Sequence, residues 1–171
     1  MPRASVSVRT VRSRRRGKKW SPVLVELHPD PQQISPSSNI FFATTICENS
    51  NNTNVAPTAT VIKVGNLKVS FECESSSNRA ILASGSAYIM FVPQGLTPTT
   101  DYPMQHPEYI MVWRSFNPAG AVSAVTMQSR LKRNLNSGDK IILFYKVRND
   151  DTGANLTIAF RGIATYVCCA N

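Results

Sequence analysis

The chain has 171 residues, 42% of them hydrophobic, and a formal net charge of +9 at pH 7. Its length suits one domain with a sizeable core, and with no run of about eighteen apolar residues we expect no membrane insertion. Two histidines and four cysteines without metal-ligand spacing predict no zinc site and no cofactor.

Most of the excess positive charge lies in residues 1–20. This segment contains eight basic side chains and no acidic one: Arg3, Arg9, Arg12, Arg14, Arg15, Arg16, Lys18 and Lys19. The remaining 21–171 hold eleven basic and ten acidic residues, a net charge of +1. We therefore predict a basic nucleic-acid-binding arm, residues 1–20, which is disordered or extended, and one nearly neutral domain, residues 21–171.

After the arm, the sequence predicts eight β-strands separated by loops rich in Gly, Pro and Asn. The predicted strands cover residues 23–27, 40–47, 58–73, 87–92, 109–116, 122–127, 140–148 and 156–168. Gly65-Asn66 indicates a bulge in the third strand, and Gly162 a kink in the last. Residues 140–148 are apolar on both faces, which is typical of a central strand.

Helical periodicity is nearly absent. Residues 124–133 lack a convincing 3.6-residue period, and residues 96–107 contain three prolines and are predicted to be irregular. The domain is therefore predicted to be all-β, an antiparallel sandwich or barrel. Three of its loops, residues 49–57, 75–84 and 94–107, are the expected outer surface.

Two features beside the arm also suit nucleic-acid binding. Trp20, where the arm meets the domain, either stacks on an unpaired base or anchors the arm to the fold. Arg130, Lys132 and Arg133 form a second basic cluster. This cluster either adds contacts to nucleic acid or forms salt bridges with Asp139 and its neighbours.

No catalytic constellation stands out. His106 lies near Glu108 and Asp101 but has no nucleophile or metal partner in the sequence, so we predict a hydrogen-bonded loop histidine and no enzyme. Cys168 and Cys169 are expected on opposite faces of a strand, with no disulfide between them.

Several segments resemble the capsid proteins of small circular, Rep-encoding single-stranded DNA viruses, the circovirus-like group. The similar segments are 62–69 (IKVGNLKV), 88–95 (YIMFVPQG), 102–111 (YPMQHPEYIM), 129–139 (SRLKRNLNSGD) and 162–171, ending in YVCCAN. The resemblance covers residues 58–171 by motif and 1–20 by composition.

The resemblance implies a jelly roll of two four-stranded sheets that assembles with copies of itself, as a T=1 shell of sixty subunits. It places the arm inside, on a single-stranded DNA genome. It also implies a nuclear localisation signal in Arg14, Arg15, Arg16, Lys18 and Lys19, and hence a host nuclear import receptor as a partner. The expected locations are the virion and the host nucleus, and a host attachment factor is expected on the outside.

Three other functions fit parts of the sequence. A small nucleic-acid-binding or shuttle protein that forms no shell would also carry a basic arm. A coat protein of the same fold that packages RNA would share both the arm and the domain. An enzyme on a jelly-roll scaffold would need a cluster of metal-binding histidines, and the two histidines present are not spaced for it.

Overall fold

Antiparallel strands make up most of the computed structural model, which describes residues 19–50, 61–75, 83–118 and 124–170. In these residues the strands are β1 Ser21–Leu27, β2 Gln32–Ile34, β3 Asn39–Glu48, β4 Ile62–Ser75, β5 Ala83–Val92, β6 Ile110–Phe116, β7 Val125–Ser129, β8 Arg133–Leu135, β9 Lys140–Asn149 and β10 Leu156–Ala170. A short helix, α1 Tyr102–Gln105, is followed by a 3-10 turn, Pro107–Tyr109. The eight predicted strands are all present, whereas β2 and β8 lie in segments that the sequence assigned to loops.

The strands form two sheets with the connectivity of a jelly roll. The larger sheet has the order β1-β10-β4-β7, with β2 also paired to β10 and β8 to β4, and the smaller has the order β3-β9-β5-β6. All pairings are antiparallel. The chain passes from one sheet to the other between successive long strands, except from β5 to β6, which are neighbours. The predicted all-β jelly-roll sandwich is therefore confirmed.

The core between the sheets is rich in aromatic rings. Tyr145 of β9 lies with its ring centroid 4.0 Å from that of Phe160 on β10 and 4.9 Å from that of Phe42 on β3. Alternate residues of β9, Ile142 and Phe144, point to the other side and join a second buried cluster. Because β9 lies between β3 and β5 and is buried on both faces, the prediction of a central apolar strand is confirmed.

The connection between β5 and β6 covers part of the outer face of the smaller sheet. Tyr102 in α1 is 2% exposed and packs in one cluster with Ile142 and Phe144. Pro103 is tolerated in the first turn of this helix because a backbone N–H group there would have no hydrogen-bond partner within the helix. The expectation that residues 96–107 are wholly irregular is thus wrong for the helical turn.

The bulge that the sequence predicts at Gly65-Asn66 is present one residue further on, at Asn66 and Leu67. In the pairing of β4 with β10, Thr165 pairs with Lys68 and Val167 with Gly65, so two residues of β4 oppose one residue of β10. Asn66 has a φ of 50°, in the left-handed region that asparagine tolerates better than most residues.

Gly162 pairs with Phe71 in unbroken register, where the sequence predicted a kink. A Cβ atom at this position would lie 2.8 Å from Cβ of Phe71 and 2.9 Å from the carbonyl oxygen of Ser70. Glycine is therefore needed here for the close approach of β10 to β4.

We expect Gly162→Ala to lower the free energy of unfolding by about 2 kcal/mol, because the added methyl group forces the two strands apart. The control is Gly153→Ala in the β9–β10 turn, where the nearest atom to an added Cβ is 3.8 Å away. It should change stability by less than about 0.5 kcal/mol. Chemical denaturation followed by circular dichroism measures both. Equal stability of the two variants would contradict the steric role of Gly162.

Candidate nucleic-acid interface

Trp20, at the junction of the arm and the domain, lies against the outer face of the larger sheet. Of the predicted arm residues, Lys19 and Trp20 are described, and the predicted cations from Arg3 to Lys18 lie outside the described residues. Val64 belongs to the core between the sheets, so the next residue, Gly65, faces the opposite side. A Cβ atom at Gly65 would lie 3.9 Å from Cζ3 of Trp20, which places the tryptophan ring against this outer face.

Trp20 and Lys132 meet over Gly65. Nζ of Lys132 lies 5.6 Å from the centroid of the Trp20 ring, a cation–π contact. The stem of Lys132 also packs here, since its Cγ would be 3.2 Å from a Cβ atom at Gly65. The structure therefore brings the start of the domain and the second basic cluster together. Trp20 is half-buried, which supports the anchoring role over free stacking on a base.

Arg130 and Arg133, the other two members of the cluster, point to different surroundings. Arg133 lies 5.6 Å from the ring centroid of Phe91 and donates a hydrogen bond to the carbonyl oxygen of Glu108 at 3.3 Å. Arg133 on β8 of the larger sheet therefore contacts Phe91 on β5 of the smaller sheet. Arg130 is exposed, directly after β7.

Asp139 does not pair with the basic cluster, so the predicted salt bridges to it are not formed. Its buried carboxylate accepts backbone hydrogen bonds from Gln94 at 3.0 Å and from Asn136 at 2.8 Å. Among the residues that the structure describes, no ion pair joins Asp139 to Arg130 or Lys132. Asp139 therefore does not neutralise the positive charges of Arg130 and Lys132.

His106 has a structural setting. Its Nδ1 lies 3.2 Å from Oε1 of Glu108, and its ring stacks on Tyr109 at 5.2 Å and contacts Tyr102 at 4.9 Å. A backbone hydrogen bond of Glu108 itself, and then the hydrogen bond with His106, hold the pKa of Glu108 below its ordinary value. These contacts tie α1 to the 3-10 turn, in agreement with the predicted loop histidine.

The four cysteines are free thiols. Cys169 is buried, whereas Cys168 is half-buried and packs against the core between the sheets, so the two neighbours do face opposite sides. Burial raises the pKa of Cys73 to about 12 and also raises the pKa of Cys47. At neutral pH both thiols therefore stay protonated and weakly nucleophilic.

The described part of the chain contains no group of three or more His, Cys, Asp or Glu side chains that could hold a metal ion. In the same residues, no helix has the length and apolar character needed to cross a membrane.

Sequence reasoning missed two residues of this region. Gly65 was interpreted only as a bulge residue, although it also makes room for Trp20 and Lys132. Trp113 on β6 is 61% exposed, and strand periodicity alone does not reveal whether such a residue is covered. An aromatic residue followed by two polar residues, Arg114 and Ser115, on a strand at the edge of a sheet is the available signal.

No protein-family model and no curated protein matches the chain. Similar solved structures include infectious bursal disease virus, Gx strain, at 10% identity and a TM-score of 0.40, covering 86% of this chain and 32% of that one. Desmodium yellow mottle tymovirus matches at 13% identity and a TM-score of 0.37, covering 86% of this chain and 88% of that one. The decameric BFDV capsid protein matches at 9% identity and a TM-score of 0.37, covering 88% of this chain and 99% of that one. This chain spans about a third of the bursal disease virus chain, and similarities at this level assign it to no family.

The cation–π contact can be tested through the fluorescence of the two tryptophans. We expect acrylamide to quench Trp20, measured in Trp113→Phe, less than Trp113, measured in Trp20→Phe, because Trp20 is half-buried. Adding Lys132→Ala to Trp113→Phe should increase the quenching, since the lysine stem covers the ring. Arg161→Ala in the same background is the control. Equal quenching with and without Lys132 would rule out the contact.

The pairing of His106 with Glu108 predicts a pH effect. A carboxyl group whose pKa is lowered by folding adds stability above its unfolded pKa, and this stability is lost as the pH falls through the folded value. His106→Ala should raise the pKa of Glu108 towards its ordinary value and reduce the loss of stability on acidification. Carboxyl carbon NMR titration measures the pKa, with His28→Ala, which removes the partner of Glu26, as the control. An unchanged Glu108 pKa would contradict the pairing.

Proposed function

We propose that the chain is a viral capsid protein whose jelly-roll domain assembles with copies of itself into a closed shell and whose arm binds a single-stranded DNA genome inside. The observation that carries this proposal is the separation of charge. Eight basic and no acidic residues lie in 1–20, ahead of a domain with a net charge of +1. A domain that is nearly neutral can approach its copies closely while the arms neutralise a polyanion.

The arm suits contact with phosphates and not with base edges. Eight cations can neutralise about eight phosphates and release the counterions condensed on them. Six of the eight are arginines, which bind phosphate with two parallel hydrogen bonds and also stack on bases. Because phosphate contacts carry no sequence information, the binding is expected to depend little on sequence.

The geometry at the start of the domain supports the same function. Trp20 is held over Gly65 by Lys132, so the arm leaves from the outer face of the larger sheet. This brings the described end of the arm, at Trp20, next to Lys132. In the proposed shell, this face is on the genome side.

The finer parts of the proposal come from the resemblance to circovirus-like capsid proteins. They are a T=1 shell of sixty subunits, location in the virion, and assembly in the host nucleus. Nuclear import would use Arg14, Arg15, Arg16, Lys18 and Lys19, read by a host import receptor. An attachment factor would bind the surface formed by loops. Of these loops, residues 51–57 and 76–82 lie outside the described residues.

Electron microscopy and sedimentation of the purified protein test the proposal. We expect closed particles whose nucleic acid is degraded by DNase, and not by RNase, once the particles are opened. Species of only a few subunits at all concentrations, with or without nucleic acid, would instead indicate the small nucleic-acid-binding protein. Cargo degraded only by RNase would indicate the RNA-packaging coat protein.

Replacing Arg14, Arg15 and Arg16 by Gln tests the arm. The slope of log K against log salt for single-stranded DNA should become less steep by about 2, because each lost contact contributes about 0.7. The fold should be retained, since these residues precede the first strand, β1, in the sequence. The control replaces Lys140, Lys146 and Arg148 of β9 by Gln, with the same change in charge, and should leave the slope unchanged. Equal losses in the two variants would contradict a special role of the arm.

A further inference from the structure

The domain carries opposite charges on its two open sides. Strands β6, β7 and β8 lie on one side, and residues 109–138, which contain them, have four basic residues and no acidic one. Strands β1, β2 and β3 lie on the other, and residues 21–50 have three acidic residues and neither Lys nor Arg. We call residues 109–118 and 124–138 the basic edge, and residues 21–50 together with the adjacent turn 149–155 the acidic edge.

The sheet topology puts these edges on opposite sides of the sandwich. In the larger sheet β1 and β7 are the two ends of the strand order, and in the smaller sheet β3 and β6 are. β1 lies next to β3 across the sandwich, and β6 lies next to β7. A hydrogen bond also joins β6 to β7: Nη1 of Arg114 on β6 donates to the carbonyl oxygen of Thr126 on β7 at 2.7 Å.

Each edge has two charged side chains that are available to a partner. On the basic edge, Arg114 and Arg130 are exposed, and neither forms an ion pair with another described residue. On the acidic edge, Asp30 and Glu48 are exposed and equally take part in no ion pair within the described ranges. Asp150, in contrast, is paired with Arg148 at 2.6 Å.

Exposed apolar side chains accompany the charges on both edges. Trp113 and Leu131 on the basic edge are 61% and 52% exposed, and Leu24 on β1 is 61% exposed. Beside Leu24, a shallow, mostly apolar groove of about 450 Å³ runs along β1 and β10, lined by Pro22 and Val167 among others. Protein interfaces typically combine such apolar anchors with a charged rim.

We propose that the basic edge of one copy of this chain binds the acidic edge of a second copy, in a head-to-tail contact. Such a contact uses two different surfaces, so it repeats from copy to copy and closes into a ring when the rotation between copies allows it. This inference rests on the proposed shell and names the surfaces that build it. Nucleic acid on the basic edge would explain its cations, but not the matching acidic edge on the same molecule.

Charge reversal tests the contact in the full-length protein. The basic-edge variant carries Arg114→Glu and Arg130→Glu, and the acidic-edge variant carries Asp30→Lys and Glu48→Lys. Each places like charges at every head-to-tail contact, so we expect the assembled fraction in sedimentation velocity to fall by at least about tenfold. The chain with all four substitutions restores opposite charges and should regain assembly. Lys68→Glu with Arg161→Glu, on the inner strands β4 and β10 of the larger sheet, is the control for added negative charge.

Four results would overturn the proposal. They are unimpaired assembly of the single-edge variants, no recovery in the fourfold variant although circular dichroism shows it folded, loss of nucleic acid alone in the basic-edge variant, and loss of assembly in the acidic-edge variant alone. The third result would assign the basic edge to nucleic acid, and the fourth would assign the acidic edge to the arm of a neighbour.

The assembly state of the wild-type protein tests the proposed shell separately from the contact. If the wild type forms only small oligomers, the shell is wrong, and the same four variants compared on those oligomers still decide the contact. A wild type that stays monomeric at every concentration overturns both proposals.

Discussion

The placement of β10 between β1 and β4 is the constraint on which the larger sheet depends. β10 pairs with β1 over seven residues on one side and with β4 over twelve on the other, and its start also pairs with β2. Gly162 permits the close approach to β4, and the bulge at Asn66 allows pairing to continue to Ala170. Because β1 is held at its edge of this sheet, Trp20 is directed across the outer face to Lys132.

Charge is distributed at two levels in this molecule. At the level of the whole chain, the arm is basic and the domain nearly neutral, so the attraction to a polyanion is concentrated in residues 1–20. Within the domain, the four basic residues of the basic edge and the five acidic residues of the acidic edge nearly cancel. Complementary charged surfaces of this kind fix the orientation in which two molecules associate.

The sequence predicts the long strands well because each has enough alternating or continuous apolar residues to indicate burial, as in 67–73 of β4 and 140–148 of β9. It does not predict β2 and β8, since three residues are too few for a period and these strands exist only through pairing with β10 and β4. The helical turn at Tyr102 depends on a cluster from distant strands. In the candidate site, the cations are evident from composition, but the contact of Trp20 with Lys132 requires the fold.

The position of β10 also bears on how the domain forms during synthesis. β1 and β4 leave the ribosome well before β10, yet in the larger sheet each of them depends on β10 as a neighbour. Pairings between distant parts of a chain form slowly, and strands that wait for a partner expose edges that attract other chains. The exposed charged residues on these early strands, Glu26 on β1 and Lys68, Glu72 and Glu74 on β4, are of the kind that disfavours such contacts.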